Sequence, residues 1–145
     1  MDLAIYEKKQ RALDFFIMEL LKSETKGSIA KIVLFGSLSK GKSREESDID
    51  LLVVASDSPG EVSNACANAS LETGLTTGES VEPLVRCIDE VRHPQSYFLY
   101  STLKRGREVY RMNGQELKRK EARNYLDLAT EYFDGSKANV KKRYF

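Results

Sequence analysis

Apolar residues recur along this chain with two different periods, and the change of period marks out the elements. Over residues 2–24, Leu13, Phe16, Ile17 and Leu20 follow an i, i+3, i+4, i+7 spacing, which predicts a helix with one face in a core. Lys8, Lys9, Glu19 and Lys22 are expected on its solvent side, and Gly27 is expected to close it in the left-handed conformation. The next apolar residues come as short runs rich in β-branched side chains, over 29–35 and 48–55, and these predict strands. Beyond Asp50 the second run is apolar on both faces, as in a strand at the centre of a helix-covered sheet.

The rest of the chain reads in the same way. Ser58 and Pro59 suit the cap and first position of a second helix, running to about Glu72 and ended by Thr73-Gly74. Residues 81–88 form a third apolar run, and the order strand, helix, strand implies a parallel pair joined by a right-handed crossover. Residues 94–104 predict a helix with Phe98, Leu99 and Leu103 inward, and 108–111 a short last strand. A final helix over 115–133 carries Ala122, Tyr125, Leu126, Ala129, Tyr132 and Phe133 on one stripe, stopped by Asp134-Gly135 and followed by the basic tail Lys141-Lys142-Arg143. The expected fold is α/β (α+β): a domain over 1–112 (core 29–110) with a small mixed sheet flanked by helices. An amphipathic C-terminal helix and tail occupy 113–145, a surface available to a partner or to a second copy of the chain.

Composition narrows the classes. A chain of 145 residues can bury roughly 68–70% of its unfolded surface, so it needs no disulfide or structural metal to fold. Lys plus Arg number 23 against 22 for Asp plus Glu, which gives no argument for nucleic-acid binding through bulk charge. Cys66 and Cys87 lack metal-ligand spacing and read as buried small side chains. No signal-peptide core follows Met1, and no apolar run reaches the roughly 18 residues of a membrane span, so a cytoplasmic protein is expected.

Candidate chemistry gathers where the first two strands meet. If they pair antiparallel, the end of the first and the start of the second share one sheet edge, so Gly36-Ser37 faces Asp48 and Asp50. Residues i and i+2 of a strand point to one face with Cα atoms about 6.6 Å apart. The two carboxylates therefore converge. Unit charges about 4 Å apart repel by about 4 kcal/mol at an effective dielectric of about 20. A divalent cation removes that conflict, and magnesium is typically held by one or two carboxylates plus substrate phosphates. Gly36 lets backbone approach a ligand, Ser37 adds a hydroxyl and an N–H, and the loop carries Lys40, Lys42 and Arg44. Glu82 opens the third strand at the same edge.

Gly36-Ser37, ten intervening residues and Asp48-x-Asp50 resemble the signature of the DNA polymerase beta nucleotidyltransferase superfamily. The match is closest to the minimal nucleotidyltransferase (MNT) proteins of bacteria and archaea. Gly41, Ser47 and Leu51 also fit the pattern, and Arg105-Gly106 with Val109-Tyr110 resembles the family's closing segment. The resemblance implies two Mg²⁺ ions and transfer of a nucleoside monophosphate, most often AMP from ATP, to an acceptor hydroxyl. Gly36 and Ser37 would hold the triphosphate, with Lys40, Lys42 or Arg44 available to its phosphates. Asp48 and Asp50 would bind metal, and Glu82 would complete the metal set and accept the acceptor's proton.

Two positions depart from the family pattern: Leu38 stands where a basic residue is usual, and Glu82 replaces an Asp and precedes Pro83. By the same resemblance the acceptor could be a partner HEPN toxin, as in MNT–HEPN toxin–antitoxin pairs, a small-molecule acceptor being the less favoured alternative because no second substrate-binding domain is evident. The C-terminal stripe resembles a helix of HEPN domains and suits a partner or homodimer surface. The alternative is a non-catalytic antitoxin that keeps the fold and neutralises its partner by contact.

Overall fold

The two apolar runs flanking the polar loop form the middle of the sheet. In the computed structural model, which describes residues 2–144 and the side chains of 2–134, β1 (Ile29–Phe35) pairs antiparallel with β2 (Ile49–Ala55). All of β2 is buried except Asp50. The crossover helix α2 (Pro59–Thr77) returns the chain to β3 (Val81–Cys87), which runs parallel to β2. On the other edge β4 (Arg107–Arg111) pairs antiparallel with β1, giving the order β3-β2-β1-β4. This is the mixed sheet that the sequence predicts.

One face of the sheet is closed by α1 (Leu3–Lys22) and α2. Leu13, Phe16 and Leu20 of α1 are fully buried against Ile49, Leu51 and Val53 of β2, each worth about 1.5–3 kcal/mol of transfer free energy. By strand alternation Asp50, Leu52 and Val54 look to the opposite face. There α3 (Ile88–Arg92) and α4 (Tyr97–Arg105) follow β3. Gly106, just after α4, admits no side chain: an added Cβ would lie 2.5 Å from Val33 Cγ1 and 2.6 Å from the Thr102 carbonyl oxygen. That close approach seats α4 over β1.

Several local expectations are corrected. Helix α1 ends at a Ser23 cap, whose N–H donates to the Leu20 carbonyl, and a 3-10 turn over Glu24–Ser28 carries the chain to β1. Gly27 therefore lies inside that turn and is not a left-handed cap. Lys9, expected in solvent, is 1% exposed. Ser58 takes a left-handed conformation (φ 48°) without a side-chain cap bond, and α2 runs past Thr73-Gly74 to a left-handed cap at Gly78. Helix α3 was not foreseen. Ser96 caps α4, whose buried positions are Leu99 and Thr102, while Phe98 is half exposed. Cys66 is buried and its thiol is pushed up to about 12, which keeps it an unreactive core side chain; Cys87 is only partly covered.

The chain divides into two compact units, Met1–Met112 and Asn113–Phe145. The second is α5 (Gly114–Tyr144), opened by the Asn113 side chain, which accepts from the N–H groups of Gln115 and Glu116. Asp134-Gly135 does not stop this helix. Tyr125, Leu126, Leu128, Tyr132 and Phe133 are exposed on it, and the side chains of Lys141, Lys142 and Arg143 lie outside the described residues. Among the described residues no helix is long and apolar enough to cross a membrane.

Candidate active site

Register brings the predicted groups to one rim. Phe35 pairs with Asp50 across β1 and β2, so Gly36, the next residue, turns over the Asp50 side chain. Gly36 has φ +77°, and a Cβ added to it would sit 2.4 Å from Asp50 Oδ2. Only glycine permits that contact in that backbone conformation. Asp48 lies one residue before β2, and in the parallel pair Asp50 is in register with Glu82. The three carboxylates thus come from the starts of two neighbouring strands, as the crossover argument requires.

The loop after β1 is wound on itself. The Lys40 N–H and the Ser39 hydroxyl both donate to the Gly36 carbonyl, and the Lys42 N–H donates to the Ser37 carbonyl at 2.8 Å. Leu38, at the position where the resemblance leads one to expect a cation, is 4% exposed and belongs to the core cluster. It anchors the loop and contributes no charge. Lys40, Lys42 and Arg44 remain exposed. A cavity of about 420 Å³ opens beside Gly36, walled by Phe35, Phe98, Tyr97, Lys40 and Arg105. Phe35 and Phe98 meet edge to face at 5.6 Å between ring centres, which makes a firm apolar wall. Of the three loop cations, Lys40 lines this cavity and Lys42 and Arg44 do not.

The electrostatics of the rim are those of crowded like charges. Asp50 is raised above its ordinary range by burial first and by the Asp48 charge second. Glu82 is raised by the charge of Asp48 and a hydrogen bond with it, with smaller effects of desolvation and Asp50. Among the described residues no three His, Cys, Asp or Glu side chains are converged tightly enough to hold a metal ion as they stand. The donor set nevertheless fits magnesium. Asp48, Asp50 and Glu82 are hard oxygen donors on one rim, and their mutual repulsion is the cost that a bound cation removes.

This sets the sign of a pH effect. In the metal-free protein Asp50 and Glu82 bind protons more readily folded than unfolded, so unfolding free energy falls as pH rises. The fall starts in the ordinary carboxylate range and ends above the raised folded values. Urea unfolding across that window is expected to show stability falling with rising pH, and millimolar Mg²⁺ is expected to flatten the slope at its upper end. A slope unchanged by Mg²⁺ would mean that the carboxylates bind no cation.

A sheet rim that sets a glycine-serine turn against paired carboxylates is the arrangement of a nucleotidyl-transferring enzyme. The family model described as Polymerase beta, Nucleotidyltransferase matches residues 16–115, and the chain belongs to that family. It is 38% identical over 74 residues to the "Putative protein adenylyltransferase" of Methanocaldococcus jannaschii, spanning 51% of this chain and 73% of that one. Several solved structures are also similar, among them the following two. A toxin–antitoxin with AMP-PNP is 20% identical with a TM-score of 0.49, covering 88% of this chain and 94% of that one. The tri-AMPylated Shewanella oneidensis HEPN toxin in complex with MNT antitoxin gives 16% identity and a TM-score of 0.44, covering 93% and 97%.

Proposed function

We propose that this chain is a magnesium-dependent nucleotidyltransferase that moves AMP from ATP to a hydroxyl group on a partner protein. The observation that carries this reading is the close packing of Gly36 over Asp50, which sets the glycine-serine turn directly beside the carboxylate rim. Ser37 and the Gly36 backbone would hold the triphosphate, and Lys40, which lines the cavity beside Gly36, would meet it. Lys42 and Arg44 contribute only through the field of the loop. Two Mg²⁺ ions held by Asp48, Asp50 and Glu82 would neutralise the phosphate charge and the charge that develops during transfer.

The acceptor oxygen forms its bond to the α-phosphorus as the bond from that phosphorus to the pyrophosphate oxygen breaks. Pyrophosphate leaves, and the hydroxyl proton passes to the Glu82 carboxylate at the same rim. In-line displacement asks mainly for positioning and charge stabilisation, which this rim can supply. The relative from Methanocaldococcus jannaschii, by its name, supports AMP as the group moved and a protein as the acceptor. The acceptor implied by the MNT resemblance is a HEPN toxin.

The test is incubation of the chain with α-labelled ATP and Mg²⁺, with and without the protein encoded beside it. Label is expected on the partner, and neither EDTA-treated samples nor Asp48→Asn should transfer it. Neutralisation of the partner that persists in Asp48→Asn, with no label transferred by wild type, would replace this reading by an antitoxin acting through contact.

A further inference from the structure

Lys9 lies on the apolar stripe of α1, four residues before Leu13 and seven before Phe16. Its ammonium group has three N–H donors, and the structure provides three acceptors. Nζ donates to Glu79 Oε2 at 2.5 Å, to the Ser47 carbonyl at 2.5 Å and to the Glu45 carbonyl at 2.9 Å. Glu79 is itself 4% exposed, and its other oxygen lies 3.4 Å from Nζ of the half-exposed Lys8.

The acceptors are not scattered. Ser47 is bonded to Asp48, and Glu79 stands three residues before Glu82. The Ile49 N–H donates to the Ser80 carbonyl at 2.9 Å and ties the same two segments a second time. One buried cation therefore joins the loop that delivers Asp48 to the turn that delivers Glu82. It does so from the α1 side of the sheet, behind the carboxylates.

Stability alone does not account for such a group. A buried ion pair often contributes no more than an apolar pair of similar volume, because both charges lose their water. Two of the three acceptors, moreover, are backbone carbonyls of an irregular loop, whose position a methylene chain could not dictate. We propose that Lys9, with Glu79, is a positioning pair that sets the spacing between Asp48 and Glu82 and so the affinity of the rim for divalent metal. This rests on the carboxylate site proposed above.

The test compares wild type with Lys9→Met/Glu79→Met, which removes both charges together and leaves no unpaired buried ion. Glu79→Gln is carried alongside in case the double variant does not fold. Circular dichroism and thermal melting establish folding. Amide hydrogen exchange is then read over residues 44–49 and 79–82, and Mn²⁺ affinity by electron paramagnetic resonance. In the double variant both segments are expected to exchange about tenfold faster or more while the central strands keep their protection. Mn²⁺ affinity is expected to fall about 10- to 100-fold, the range for groups that orient metal ligands. Glu79→Gln should move both readouts in the same direction by less. Wild-type exchange, or wild-type Mn²⁺ affinity, in a folded variant overturns the proposal. Should wild type itself take up no Mn²⁺, the carboxylate site fails first and the pair's role falls with it, an outcome told apart because the unaltered protein fails.

Discussion

Asp50→Asn is expected to lower nucleotidyl transfer by about a thousandfold or more, while the protein melts at or above the wild-type temperature. The two halves of this result have one cause. Asp50 is lifted above the ordinary carboxylate range because it is partly buried and shares its rim with Asp48. Ionised and without a cation it opposes the fold, so a neutral amide of the same shape removes a repulsion and costs the core nothing. On the proposed function the carboxylate serves the reaction. Stabilising charge on a transferring phosphoryl group is worth several kcal/mol, and about 4 kcal/mol corresponds to about a thousandfold in rate. Steady-state transfer and a thermal melt, both on the same preparation, decide the matter. A variant that is inactive because it is unfolded, or one that is folded and active, would each contradict the assignment.

Gly36→Ala is expected to lower transfer by about a hundredfold and to destabilise the fold by about 1–2 kcal/mol. A left-handed backbone costs an alanine about that much by itself. The larger effect on activity comes from contact. The new methyl would lie 2.4 Å from Asp50 Oδ2 and 3.2 Å from its Cγ, so the carboxylate must move away. A displacement near 1 Å at a reacting centre can cost about a hundredfold. Gly41 provides the control, since it has φ +69° but nothing within 4 Å of an added Cβ. Gly41→Ala should therefore carry the same backbone penalty in urea unfolding with transfer within about threefold of wild type. Equal losses of activity in the two variants would show that loop strain, and not the Asp50 contact, is what matters.

Much of this site is legible one residue at a time. Strand alternation alone puts Asp48 and Asp50 on one face, and the crossover rule alone puts the start of β3 beside the start of β2. The register that sets Asp50 beside Glu82 is decided only in the folded pair. Leu38 was legible only in part: its hydrophobicity excludes a phosphate contact, but its burial as the anchor of the loop appears only in the fold. Lys9 illustrates the opposite case. Its spacing from Leu13, Phe16 and Leu20 places it on the inner stripe of α1, yet a lysine is ordinarily assigned to solvent. What reverses that assignment is a set of acceptors 36, 38 and 70 residues away in the chain.

Helix ends were similarly misjudged where local signals competed. Thr73-Gly74 reads as a stop, but Thr73 is fully buried and its hydroxyl bonds back to the Ala69 carbonyl, so packing carries α2 on to Gly78. Periodicity, turn chemistry and residue type thus establish the strands and the face on which the acids lie, while the family enters through the resemblance carried by Gly36-Ser37 and Asp48-x-Asp50. They do so because each depends on neighbours a few residues apart. The approach of Gly36 to Asp50, the seating of Leu38 and the burial of Lys9 belong to the folded chain alone. Each is a contact between segments whose separation in space no local preference encodes, and of the three Leu38 is part of the core that α1 and α2 close over the sheet.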